Sequence, residues 1–600
     1  MKKKAIKHKK ITSLKIFPED LPSDFNNQDY EGLPIDIMTH AWMSHFIGWL
    51  SPASLSLALF DWFAHLTISP AKQVSMLKQA LEKWFELFYT LQCLSTESER
   101  PTFDTRTNDH RFDHELWQTF PFNLSVHYFL MCEKWWDQAT VSIRGVSRHH
   151  QKVVNFQVRQ FLDMISPSNF LLTNPEVLAK TFNSGGSNLF HGFQNLLEDL
   201  FRYNHRLPPN ATEKYVVGKD VAITPGKVVY RNHLIELIQY EPQTKTVHAE
   251  PILIIPAWIM KYYILDLSPH NSLVKYLVAN GFTVFMISWK NPTSQDRHLG
   301  LEDYLNLGIF DSLNTICKII PDKKIHTVGY CIGGTLLMIA AAALASQSDQ
   351  KLQSITLFAA QIDFKEAGDL LLFMDQSQVT FLEDIMWEKG YLDGRQMANA
   401  FSMLQSNDLI WSRVIHDYLF GERRKINDLI AWDYDTTRLP IRMHSEYLHN
   451  LFLNNDLSQG RFKVNYKKIA LPDITQPLFV VSTIKDHVSP WRSVYKVHLF
   501  CDVEITFVLT TGGHNAGIVS EPGHVGRSFR IKTHGADDKH ISSESWLEIA
   551  SQYEGSWWPK WVKWLHKKSS PIKVKPPSMG NKEAGIVPLL EAPGNYVLKR

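Results

Sequence analysis

Cysteine is scarce in this chain: Cys93, Cys132, Cys317, Cys331 and Cys501 are all there are among 600 residues, with no C-x-x-C pair. An odd, scattered set excludes a disulfide framework and a paired-thiol zinc site, and it suits a reducing cytosol. Net charge is small, +2 at neutral pH, which gives no electrostatic footprint for nucleic acid. Long apolar runs are missing too. The longest, Leu336 to Ala345, is too short to span a bilayer. The start, Met1 to Lys10, is basic but has no apolar core, so no secretory signal is expected. What is present, 44% hydrophobic and 21% charged residues, is the balance of a globular protein. Its length exceeds one core, so two or three domains are expected.

Residues 1–30 read as a polar basic tail. A helical N-terminal domain is expected over 31–210, because apolar residues recur at three- and four-residue spacing in Met38 to Phe63 and Val74 to Leu94. Ser51-Pro52 and Ser69-Pro70 are good helix openings. Further helices are expected over Phe122 to Thr140, Val153 to Met164 and Leu189 to Tyr203, with Pro167, Pro175 and Gly185-Gly186 as breaks. Past Pro208-Pro209 and Thr224-Pro225-Gly226 the rhythm changes. Leu234 to Tyr240, Ile252 to Ile255, Thr283 to Ser288, Thr327 to Tyr330, Ser354 to Ala359, Leu478 to Ser482 and Glu504 to Leu509 read as strands alternating with helices. The middle ones are apolar throughout, as strands covered on both faces must be, so 211–575 is expected to form a three-layer α/β domain. Phe364 to Lys468 interrupts the alternation with helical patterns and is expected to cap the site. Residues 576–600 form a C-terminal tail.

Gly329-Tyr330-Cys331-Ile332-Gly333 lies between a β-branched run, Ile325 to Val328, and the small-residue helix from Leu336. Strand, tight turn and helix make a nucleophile elbow of α/β-hydrolase type, with cysteine where serine is usual. Gly329 and Gly333 allow strand and helix to approach closely. The alternative, a buried structural cysteine, is the usual fate of a free thiol.

A nucleophilic cysteine needs a base, and that base needs a partner. Chain order in this fold is nucleophile, acid, histidine, which selects Asp486 after one strand and His514, in Thr511-Gly512-Gly513-His514, after the next. Asp363 is an alternative acid, since some hydrolases place it one strand earlier, and His487 is a rival base. Among the 26 histidines, His149-His150 read as solvated or capping, and His444 and His449 do not form an H-E-x-x-H site. Backbone N–H groups of Ile332 and of the loop Pro256 to Lys261 would form the oxyanion hole. Trp557, Trp558, Trp561 and Trp564 recur at helical spacing with Lys560, Lys563, Lys567 and Lys568 between them. They suit either an interfacial helix or, preferably, one docked on its own domain.

Longer strings carry a resemblance. Pro256-Ala257-Trp258-Ile259-Met260-Lys261-Tyr262-Tyr263-Ile264-Leu265-Asp266-Leu267, Ser288-Trp289-Lys290-Asn291-Pro292, the elbow, Asp486-His487-Val488-Ser489-Pro490-Trp491 and Gly513-His514 resemble polyhydroxyalkanoate synthases of the long, class I kind. So do Arg144 to His150, Ser166 to Phe170 and Ala592 to Leu598, so the resemblance covers nearly the whole chain. It implies an α/β-hydrolase catalytic domain with a helical cap, behind a helical N-terminal domain. It also implies an acyltransferase that polymerises (R)-3-hydroxyacyl-CoA into polyester and releases CoA. Cys331 would carry the acyl group, His514 would be its base, and Asp486 would support proton removal from the incoming 3-hydroxyl. Ile259 and Ile332 match the amides placed at the oxyanion. A homodimer in the cytoplasm, associated with polyester granules, is implied, and no cofactor or metal. Ala257 and Met260 depart from the family's usual proline and asparagine. A thioesterase or hydrolase with the same triad is the alternative.

Overall fold

A computed structural model describes residues 33–95, 109–205 and 207–600, so the tail over 1–30 lies outside the described residues. The centre is an eleven-stranded sheet. Its strands are β1 (Gly226–Arg231), β2 (Ile235–Tyr240), β3 (Ile252–Ile255), β4 (Val284–Trp289), β5 (Ile325–Tyr330), β6 (Leu352–Phe358), β7 (Leu478–Thr483), β8 (Ile505–Thr510), β9 (Ser528–His534), β10 (Ser551–Glu554) and β11 (Leu590–Glu591). Their order is β10-β9-β8-β7-β6-β5-β3-β4-β2-β1-β11. The core from β4 to β8 through β3, β5, β6 and β7 is parallel, and the outer pairs are antiparallel. All seven expected strands are present. β1, β9, β10 and β11 were not foreseen because they carry little apolar signal: β10 is exposed along its whole length.

The central strands are buried at every position because helices cover both faces. The tryptophan helix, Trp558–Lys568, supplies part of that cover. Trp557, Trp558 and Trp561 are fully buried, and their indole N–H groups donate to Gly517 O, Ile518 O and Thr356 Oγ1. The docked arrangement is the one found, and buried indoles satisfied in this way rule out a membrane-facing aromatic stripe.

The N-terminal region is helical as expected, over Leu33–Ile47, Pro52–Thr67, Pro70–Ser95, Phe122–Thr140, Arg148–Met164 and Ser187–Asn204. Pro175, read as a break, instead opens a helix over Pro175–Asn183, with Asn174 capping it. No helix among the described residues is long and apolar enough to cross a membrane.

Between β6 and β7 the chain is mostly helical, with only two-residue strands. The helix Gln376–Lys389 meets the N-terminal helices through polar contacts. Gln378 accepts from Ser51 N at 2.8 Å and donates to Trp49 O at 2.8 Å, while His40 Nδ1 lies 2.6 Å from Asp384. His149 and His150 are partly exposed and do not cap their helix, which Ser147 does; they face Asp375 at 3.4 Å and Asp61 at 2.6 Å.

Candidate active site

Residues at or just after the carboxyl ends of five of the six parallel strands, β3, β5, β6, β7 and β8, line one cavity of about 830 Å³ whose walls are mainly apolar. Cys331 stands at the end of β5 and caps the helix Ile332–Ser346 with φ 54° and ψ −128°. A non-glycine residue at positive φ is strained, and the strain lifts its side chain off the sheet into the cavity. Glycine is required on both sides. A Cβ on Gly329 would overlap Gly334, and one on Gly333 would overlap the carbonyls of Ile255 and Pro256.

His514 follows β8. Its Nδ1 donates to Asp486 Oδ2 at 2.7 Å, and the Cys331 side chain lies close enough to influence its charge. Burial alone would lower the imidazole's pKa, but the Asp486 and Cys331 charges and the Asp486 hydrogen bond outweigh it and raise it well above the usual histidine range. Asp486 has no exposed side-chain surface. Its Oδ1 accepts from Val488 N at 2.9 Å and Ser489 N at 2.8 Å, and its Oδ2 also accepts from Thr483 Oγ1 at 3.3 Å. Four donors hold it oriented toward His514.

The rivals lie in other networks. Asp363 is bound by Lys496 at 3.1 Å and Asn455 at 3.0 Å, away from His514. His487 lines the cavity, but Gln405 holds its Nδ1 at 3.0 Å, and burial lowers its pKa. His444 is a buried core histidine, and His449 faces Glu383 at 3.0 Å.

Ile332 opens its helix, so its N–H has no acceptor within that helix. Ile259 lines the cavity on the loop after β3. That loop is gripped by residues 432–437. Thr437 N donates to Ile259 O at 3.0 Å, Thr437 Oγ1 to Trp258 O, Trp432 Nε1 to Lys261 O at 2.7 Å, and Lys261 N to Asp435 O at 3.2 Å. Met260 bridges Thr436 through the backbone, and Ala257 is buried.

Two features escaped the sequence reading. Asp433, at the end of the helix Asp428–Asp433, faces the cavity and accepts from Asn515 Nδ2 at 3.0 Å, while Asn515 accepts from the Tyr330 hydroxyl. Lys261 is buried and donates to Lys599 O at 2.6 Å, tying the loop after β3 to the C-terminal tail. Asp433 has no motif, and Lys261 stands in the Pro256 to Leu267 string without any sign there of its partner in the tail.

A cysteine elbow at the carboxyl end of a mostly parallel sheet, with acid and histidine on later loops, defines an enzyme of the α/β-hydrolase fold. Residues 250–521 match the family described as alpha/beta hydrolase fold. Residues 32–72 match "Poly-beta-hydroxybutyrate polymerase N terminal", and 108–277 match "Poly-beta-hydroxybutyrate polymerase (PhaC) N-terminus". The chain is 39% identical over 518 residues to the poly(3-hydroxyalkanoate) polymerase of Methylorubrum extorquens, covering 86% of this chain and 84% of that one. It is 32% identical over 544 residues to the poly(3-hydroxyalkanoate) polymerase subunit of Cupriavidus necator, covering 90% of each. The chain belongs to the poly(3-hydroxyalkanoate) polymerases, which are acyltransferases.

Proposed function

We propose that the protein polymerises (R)-3-hydroxyacyl-CoA into polyester, with the growing chain held as a thioester on Cys331. The observation that carries this reading is one imidazole, His514, hydrogen-bonded to Asp486 and sharing an apolar cavity with the Cys331 side chain, whose charge it senses. His514 takes the thiol proton, and the thiolate attacks the acyl carbonyl. Amides of Ile332 and Ile259 receive the oxyanion. The carbon–sulfur bond to CoA then breaks, and His514 returns its proton to the departing CoA sulfur. One thioester has replaced another, so the acyl group stays activated.

Growth requires the 3-hydroxyl of the next unit to attack that thioester. A carbon–oxygen bond forms, the bond to Cys331 breaks, and the hydroxyl proton passes through His514 to the Cys331 sulfur. The extended chain, now on CoA, reacylates Cys331 and CoA leaves. An apolar, covered cavity keeps water from intercepting the acyl-enzyme. The same reading includes a homodimer associated with the polyester granule. Exposed Leu77, Leu81, Trp84, Phe85 and Phe88 along one helix support contact with such an apolar surface.

Incubation with 3-hydroxybutyryl-CoA tests the reading. Polymer and free CoA are expected, and Cys331→Ala is expected to yield neither. Free 3-hydroxybutyrate without polymer would assign a hydrolase instead. Polymer from the alanine variant would remove Cys331 from the chemistry.

A further inference from the structure

The acid of the triad cannot meet the substrate's hydroxyl. Asp486 is wholly buried, and both of its oxygens are taken by protein donors, so it acts on a substrate only through the imidazole. The ester-forming step involves a hydroxyl that must be held in line with the acyl carbon while it loses a proton. A second acceptor on the cavity side of His514 would do that, and one is present.

Asp433 is the last residue of a short helix in the segment that grips the loop after β3, so its backbone is fixed against the oxyanion side of the site. Its Oδ1 accepts from Asn515 Nδ2 at 3.0 Å. Asn515 is the neighbour of His514 in sequence, and the Tyr330 hydroxyl, one residue before Cys331, holds Asn515 in turn. Asp433 is thus tied through one amide to both the base loop and the nucleophile elbow. Its Oδ2 accepts no hydrogen bond from the described residues, and Asp433 lines the same cavity as Cys331 and His514. Crowding by protein raises its carboxyl to about 6, partly offset by the Asn515 hydrogen bond and by His514.

Resting on the reading above, we propose that Asp433 is a catalytic residue of the elongation step, whose free carboxylate oxygen accepts the 3-hydroxyl of the incoming acyl unit and aims it at the Cys331 thioester. The hydroxyl's single proton, held by Asp433, passes to that carboxylate as the carbon–oxygen bond forms, and it is returned through His514 to the departing Cys331 sulfur, so the overall balance of the step is unchanged. The first acylation, which uses no substrate hydroxyl, makes no such demand on Asp433.

The two steps separate in rapid-mixing measurements of CoA release by the full-length protein, where the burst reports Cys331 acylation and the later phase reports elongation. Asp433→Asn keeps an oxygen able to accept from Asn515 and presents a donor where an acceptor is needed. We expect its elongation phase with 3-hydroxybutyryl-CoA to fall at least about tenfold, while the burst, also read with butyryl-CoA, changes by less than about threefold. Wild-type elongation should rise with pH through about 6, as the carboxyl ionises, and the asparagine variant should lack that rise. Asp433→Glu should restore part of the rise. An unaltered elongation phase and pH profile, or a burst reduced as much as elongation, would overturn the assignment, the latter marking a purely structural role. Failure of the underlying reading has a different signature: no polymer from the wild type, or a burst that survives Cys331→Ala.

Discussion

Cys331 occupies a backbone conformation that its own side chain disfavours, and its neighbours make that possible. Gly333 sits where its Cα faces the carbonyls of Ile255 and Pro256, the residues that lead into the loop carrying Ile259. A methyl group there must push the elbow helix away from that loop and separate the Ile332 and Ile259 amides that we propose receive the oxyanion. We therefore expect Gly333→Ala to lower the rate of CoA release by about a hundredfold, the scale set by losing one oxyanion donor. Substrate affinity should change far less, and single-turnover kinetics would show the split. The elbow, Asp486 and His514 were legible in the sequence because each sits in a short string after an apolar strand. Asp433 was not, because nothing in Ala431-Trp432-Asp433-Tyr434 marks a residue that meets Asn515 across 82 positions. Nor could spacing choose between Asp486 and Asp363. Lys496 and Asn455, which occupy Asp363, are supplied by distant segments.

Elements were legible in proportion to their apolar content. The parallel strands and long helices announce themselves, whereas β9 and β10 pair through the backbone with mostly polar side chains and leave no period to find. Contacts between elements are less visible still, and the helix Gln376–Lys389 shows why they matter. Its N-cap, Asp375, accepts from Gln378 N at 3.0 Å, from the Ser54 hydroxyl and from His149, so one carboxylate joins this helix to two N-terminal helices. Burial alone would raise its pKa, but these donors outweigh burial and hold it at about 2. A carboxyl depressed in this way stabilises the fold above its unfolded pKa and loses that contribution as pH falls through the folded value. The shift corresponds to about 2 kcal/mol at neutral pH. Asp375→Asn should lower the urea midpoint at pH 7 accordingly, and roughly half of that deficit should be gone by pH 3. A deficit that does not change with pH would locate the effect in packing instead.

At the scale of the whole molecule, the C-terminal tail connects the sheet edge to the active site, although its sequence reads only as a tail. β11 pairs with β1 and covers the edge of the sheet. Just beyond it, Asn595 N and Tyr596 N each donate to Glu236 Oε2 at 2.9 Å, and Glu236 is completely buried in β2. Lys261, on the loop that carries Ile259, reaches the tail's last turn through its bond to Lys599 O, with burial lowering its ammonium to about 8. The tail therefore does two separable things. It donates to a buried carboxylate, which holds the sheet together, and it anchors the loop that carries Ile259. Deleting residues 592–600 should cost about 2 kcal/mol, because the buried Glu236 loses both amide donors to Oε2 and keeps only Arg231 on Oε1, and should abolish activity as well. Lys261→Met keeps the tail on Glu236 and removes only the loop anchor along with a desolvated charge. It should leave the melting temperature unchanged or slightly raised while CoA release falls about tenfold. Calorimetry and steady-state assays on the two variants would separate these effects. Equal losses of stability in both would mean that the tail acts only through the sheet.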